Sequence, residues 1–167
     1  LSHQFFTPYC YQAILTGAVG EEAIRAILFH ERVSLESISD PLFELADLKI
    51  ANRGWLIDCK NYSERTLDQF ALSGDDPSYR PKLNDNDFKR LAQHKLDRIK
   101  KVHPNGKLIF INLLSHNNRP KRYFDREFIP VDSFGAASII IIQGALNRDE
   151  PSIYTPAFEQ ILPYLQI

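Results

Sequence analysis

The 167-residue sequence has no methionine, one tryptophan and two cysteines. Cys10 and Cys59 form neither a disulfide framework nor a metal-ligand pattern. Because Cys59 also lies inside a strand-like run, a reducing, cytoplasmic setting is expected. No apolar run approaches the roughly 20 residues that a membrane-spanning helix needs, so no membrane partner is expected. The five histidines, His3, His30, His94, His103 and His116, are scattered without metal-ligand spacing and read as structural or exposed. A basic region followed by an apolar one, the mark of a secretory leader, is missing from the opening residues. With Leu1 first and no methionine, the chain is expected to be an excerpt of a longer protein whose other domains are among its partners. There is no internal repeat and no low-complexity linker.

What is present is ordinary for a globular protein, with 44% apolar and 25% charged residues. The length suits a single domain, residues 1–167, that buries its own core without a disulfide or structural metal. The net charge of −1 hides an uneven distribution: residues 1–79 carry −6, residues 80–126 carry +9 and residues 127–167 carry −4. An acidic segment followed by a basic one suits an enzyme that binds a polyanion and also holds a cation; alternatively, the basic block is the wet face of one helix.

Helical spacing places Ile24, Ile27 and Leu28 on one face of a first helix that follows Gly17-Ala18-Val19-Gly20, with Glu21 and Glu22 in its first turn. Leu42 to Ile50 and Trp55 to Lys60 read as two strands joined by the turn residues Asn52-Arg53-Gly54. Ser73 to Pro81 reads as a loop, and Asn84 or Asp85 as the cap of a second helix with an apolar stripe of Phe88, Leu91, Leu96, Ile99 and Val102. Lys107 to Leu114 and Ala137 to Ile142 are continuous apolar runs, the pattern of strands covered on both faces. Ser115 to Pro120 is a loop, a shorter segment surrounds Tyr123 to Val131, and Pro156 to Leu165 is a helix interrupted by Pro163. This order predicts an α/β fold, a three-layer αβα sandwich around a central mixed β-sheet.

The stretch Gly54-Trp-Leu-Ile-Asp-Cys-Lys-Asn-Tyr-Ser63 carries the chemistry. Strand alternation puts Trp55, Ile57 and Cys59 on a core-facing side and Leu56, Asp58 and Lys60 on the other, where acid and amine face a groove. A hairpin turning at residues 52–53 pairs positions whose numbers sum to about 105, and so sets Asp47 opposite Asp58. Opposed carboxylates call for a cation or a raised pKa, and oxygen ligands suit Mg²⁺ or Mn²⁺. Protonated Lys60 is no ligand; it can orient a water or meet charge on a phosphate. Glu21, in helical phase with Ile24 and Leu28, is the helical acid best placed to join them. Two further readings stay open: a frame using Asp40 with Asp47 and Lys49, and a surface salt-bridge cluster without chemistry.

The order and spacing resemble the PD-(D/E)xK nuclease superfamily, over about residues 17–114. Glu21 after Gly17-Ala18-Val19-Gly20 is similar to the family's helical acid, Asp47 to its first motif acid, and Asp58-Cys59-Lys60, followed by Asn61-Tyr62, to its second motif. Ala46 stands where the first motif has its proline, and Asp58 where glutamate is commoner. The resemblance implies a restriction-endonuclease-like fold and a Mg²⁺- or Mn²⁺-dependent endonuclease acting on DNA, with RNA left open. It assigns the metal to Asp47, Asp58, the Cys59 carbonyl and Glu21, and the water to Lys60. Gln93 takes the place of a glutamine that one branch carries on its next helix. Lys82, Lys89, Arg90, Lys95, Arg98, Arg119, Lys121 and Arg122 are then expected to contact the nucleic-acid backbone. The alternatives are a module that keeps the fold and binds nucleic acid without cleaving it, and an unrelated α/β domain.

Overall fold

A computed structural model describes residues 8–39, 41–60, 85–114, 137–142 and 144–166. Among these, the element order is α1 (Pro8–His30), β1 (Leu35–Glu36), β2 (Leu48–Ile50), β3 (Trp55–Lys60), α2 (Asp85–Val102), β4 (Lys107–Asn112), β5 (Ile139–Ile142) and α3 (Pro156–Leu165). The readings of Ser73–Pro81, Ser115–Pro120 and Tyr123–Val131, together with Asp40, fall outside the described residues. No described helix is long and apolar enough to cross a membrane.

The five strands form one sheet in the order β1-β2-β3-β4-β5. The β1–β2 and β2–β3 pairs are antiparallel, and the β3–β4 and β4–β5 pairs parallel. Antiparallel neighbours can be joined by a tight turn, whereas parallel ones need a long crossover; α2 lies in the connection between β3 and β4. Leu48 faces Ile57 and Lys49 faces Leu56, which is the register expected for a hairpin turning at residues 52–53. Asn52 takes the left-handed conformation there, at φ 60°, which asparagine tolerates better than most residues.

Alternation along β3, β4 and β5 feeds two cores. Ile57, Ile109, Ile111, Ile140 and Ile142 pack on one face with Ile24 and Leu28 of α1 and Phe158 of α3. Leu56, Leu108, Phe110 and Ile141 pack on the other with Ala92, Leu96 and Ile99 of α2. Each fully buried branched side chain contributes about 1.5–3 kcal/mol relative to exposure. Helices therefore cover both faces of a mixed sheet, and the middle of β3, Leu56 to Asp58, is buried between them.

Three sequence expectations change. α1 begins at Pro8 and runs through Gly17 and Gly20 without a left-handed glycine. Proline suits a first helical position, and each glycine costs the helix only about 1 kcal/mol, an amount offset by burial of Ile24 and Leu28. Glu21 and Glu22 are consequently mid-helix, where Arg25 pairs with both. The strand expected from Leu42 to Ile50 shrinks to Leu48–Ile50, because residues 41–45 turn and bury Leu42 and Leu45 under α2. On α2 the inward stripe is Ala92, Leu96 and Ile99, while Leu91 and Val102 stay exposed.

α3 continues through Pro163 to Leu165. Its N-terminus is capped by Thr155, whose Oγ1 accepts from the Phe158 amide at 3.1 Å and donates to the Gly144 carbonyl at 2.6 Å. Tyr154 donates to Glu31 at 2.7 Å, and Arg53 donates to the Tyr164 carbonyl at 2.8 Å, so α3 is tied to the end of α1 and to the hairpin turn. Burial, and then the Glu31 carboxylate, push the Tyr154 hydroxyl up to about 12, so it stays a donor at neutral pH.

The hairpin turn packs on the end of α2. A Cβ built on Gly54 would stand 2.3 Å from the His103 Cβ, and the Lys107 amide donates to the Gly54 carbonyl at 3.0 Å. Gly17, by contrast, has nothing within 4 Å of a built Cβ. Opposite signs are expected from one chemical change: Gly54→Ala destabilises by about 1–3 kcal/mol through overpacking, whereas Gly17→Ala stabilises by roughly 0.5–1 kcal/mol through helix propensity. Urea unfolding of the two variants beside the parent measures both.

Candidate functional site

Asp58 is the buried acid of β3, with 3% of its surface exposed. A carboxylate so far from water needs a compensating charge nearby. Lys60, two residues along the same strand, reaches Oδ1 at 2.6 Å. Lys95, from the inward side of α2, reaches Oδ2 at 2.6 Å.

Asp47 stands where β2 enters the sheet. Its amide donates to the Ile57 carbonyl at 3.0 Å, and its carboxylate accepts from the Cys59 amide at 2.7 Å. The side chain thus satisfies a β3 amide beyond the last backbone pair of the ladder. Asp47 is exposed at the surface, beside the buried Leu48 and Asp58. Partial desolvation raises its pKa; the Cys59 hydrogen bond and the Lys60 charge oppose the rise, while the charges of Asp58 and Glu21 add to it.

Glu21 projects from α1 into the same neighbourhood, but its carboxylate accepts from the Arg25 guanidinium at 3.0 Å. A cavity of about 330 Å³ is walled by Glu44, Asp47, Asp58, Lys60 and Lys95. A second, of about 430 Å³, is walled by Glu21, Arg25, Glu36, Asp47 and Lys49. Phe43, Ala46 and Asp47 line both, so the two hollows meet along this short segment. The alternative lysine, Lys49, turns away and pairs with Glu36 of β1.

The structure therefore brings Asp47, Asp58, Lys60 and Lys95 to one cavity and leaves Glu21 at the adjoining one. Gln93 is exposed and donates to Asp97 at 2.8 Å, so the α2 side chain that reaches the acid is Lys95. Arg98 is exposed and donates to the Pro41 carbonyl at 3.3 Å, and Arg90 is also exposed. Lys82, Arg119, Lys121, Arg122 and the side chain of Lys89 lie outside the described residues. Lys95 falls three residues after Ala92 and four before Ile99, on the stripe that the structure buries, where a lysine needs an acid.

Cys59 lies beside these acids. Burial, followed by Asp47, Asp58 and Glu21, pushes its thiol far above the ordinary range, so it is a neutral thiol rather than a nucleophile at pH 7. Among the described residues, no three His, Cys, Asp or Glu side chains are gathered closely enough to hold a metal ion. The donors fit Mg²⁺ or Mn²⁺ in kind, being carboxylate oxygens; an ionised carboxylate offers about four lone-pair sites, so Asp58 has acceptor capacity beyond its two ammonium partners.

The raised Asp47 pKa gives a prediction with a defined sign. Wild-type stability is penalised once Asp47 ionises, so Asp47→Asn stabilises the fold at pH 7 by about 0.2–1 kcal/mol, the scale of exposed charge interactions. The gain fades as pH falls toward the ordinary value of 3.8, where wild type also carries a neutral side chain. Thermal melts of both proteins at pH 7 and pH 4 test this. Set against known proteins, the chain matches no family model and no curated protein.

Proposed function

We propose that the chain is a single nuclease domain of the PD-(D/E)xK type, with a restriction-endonuclease-like fold, that hydrolyses phosphodiester bonds of DNA in a Mg²⁺- or Mn²⁺-dependent reaction. The observation that carries this reading is the hairpin, with Asp47 and the Asp58-Cys59-Lys60 tripeptide on neighbouring strands of one cavity. The mixed sheet with helices on both faces supports it.

Asp47, Asp58 and the Cys59 carbonyl would hold the cation, with Glu21 reached directly or through water. When bound, the cation supplies Lewis-acid stabilisation of the charge that builds on the phosphate and on the leaving 3′-oxygen. Lys60 orients the attacking water with its ammonium, which Asp58 fixes at 2.6 Å. Phe110, whose ring centroid lies 6.0 Å from the same nitrogen, shields that side from solvent. Arg90 and Arg98 on the exposed side of α2 meet the phosphate backbone and name no sequence.

One observation favours a second reading, a module that binds nucleic acid without cutting it: both oxygens of Asp58 already carry an ammonium partner. The two readings separate in one assay. Plasmid and single-stranded DNA are incubated with Mg²⁺, Mn²⁺ or EDTA, alongside Asp58→Ala and Lys60→Ala. Metal-dependent cleavage is expected, falling at least about 100-fold in either variant. Inactivity on every substrate supports the binding module, and cleavage that survives both substitutions overturns the site.

A further inference from the structure

Two lysines on one buried carboxylate is more positive charge than burial alone demands. Lys60 compensates Asp58 from the same strand. Lys95 adds a second ammonium from a different layer, on a long side chain whose head borders the cavity. A divalent ion approaching Asp58 would meet both. Lys60 is tethered two residues from Asp58 on β3 and lies over the Phe110 ring. Lys95 comes from a helix of another layer, and its side chain lines the cavity as well as reaching Asp58.

We infer that Lys95 is a positioning residue that acts as a stand-in counter-ion. It holds the second oxygen of Asp58 while no divalent ion is bound and competes with that ion when it arrives. The affinity of the site for the cation is thereby set from α2. This rests on the reading of Asp58 as a cation ligand.

Electrostatics gives the direction. A cation beside a carboxylate lowers the affinity of that carboxylate for a second cation; for a proton the effect of one neighbouring ammonium is about ten- to a thousandfold. The cavity walls carry Glu44, Asp47 and Asp58 against Lys60 and Lys95. Deleting the Lys95 charge makes this wall more attractive to a dication, whereas a lysine that only supported the fold would leave affinity unchanged or weaken it. A backbone phosphate brought to the cavity gives the displaced ammonium a new partner, so that polyanion and dication assist each other's binding.

The test is calorimetric titration of Mn²⁺ into the wild-type chain, Lys95→Met and Lys95→Arg. Lys101→Met serves as a control, because Lys101 is an exposed residue of the last turn of the same helix. Lys95→Met is expected to bind Mn²⁺ at least about tenfold more tightly than wild type, with Lys95→Arg and Lys101→Met close to wild type. Wild-type binding with equal or weaker affinity in Lys95→Met overturns the inference and leaves the nuclease reading standing. Absence of Mn²⁺ binding in every protein overturns both. Should circular dichroism show that Lys95→Met does not fold, Lys95→Gln decides, since it keeps a hydrogen-bond donor toward Asp58 without the charge.

Discussion

A carboxylate taken almost wholly out of water organises this structure. Asp58 lies in β3, which is hydrogen-bonded on both sides and covered on both faces, so its charge must be matched from nearby layers. The match follows from topology. β3 and β4 run parallel, so the chain must cross over between them, and α2 is laid on one face of the sheet by that requirement. Its inward stripe then sits over Leu56, Asp58 and Phe110. Ala92, Leu96 and Ile99 meet the apolar members of that row, and Lys95 meets the acid. Parallel pairing is in this sense the cause of the second ammonium.

Where the sheet ends matters as much. The antiparallel ladder of β2 and β3 stops at Leu48 and Ile57, and beyond it the Asp47 side chain takes the place that a strand carbonyl would fill, accepting the Cys59 amide. Residues 41–45 have left the sheet to bury Leu42 and Leu45 beneath α2. The parting of the two paths opens the hollow between them and leaves Asp47 at its lip. A longer β2 would have closed that space with backbone.

Much of this was legible in the residues. Leu108 to Ile111 and Ile139 to Ile142 announce covered strands because no polar residue interrupts them on either face, and the hairpin register follows from Asn52-Arg53-Gly54, since turn chemistry fixes which residues pair. Three things escaped. The start of α1 was hidden by Gly17 and Gly20, which read as punctuation although a long helix absorbs their cost. β1 is two residues long, too short for any periodicity. On α2 a reading by hydrophobicity chose Leu91 and Val102 over Ala92 and Lys95, because tight packing against a sheet prefers a small residue and an ion pair prefers a charged one. The elements carrying Asp47, Asp58 and Lys60 could be inferred; the arrival of Lys95 required knowing which face α2 covers.

The contact between Gly54 and His103 has one more consequence. It fastens the tip of the hairpin to the end of α2, while Arg98 fastens the turn at Pro41 to the middle of the same helix. Both contacts hold the half of α2 that follows Lys95 against the hairpin and the turn before β2. Loop-closure cost grows slowly, by about 0.6 kcal/mol for each doubling of length. The spacing of Lys95 from Asp58 is therefore set by contacts between strand and helix rather than by the length of chain between them.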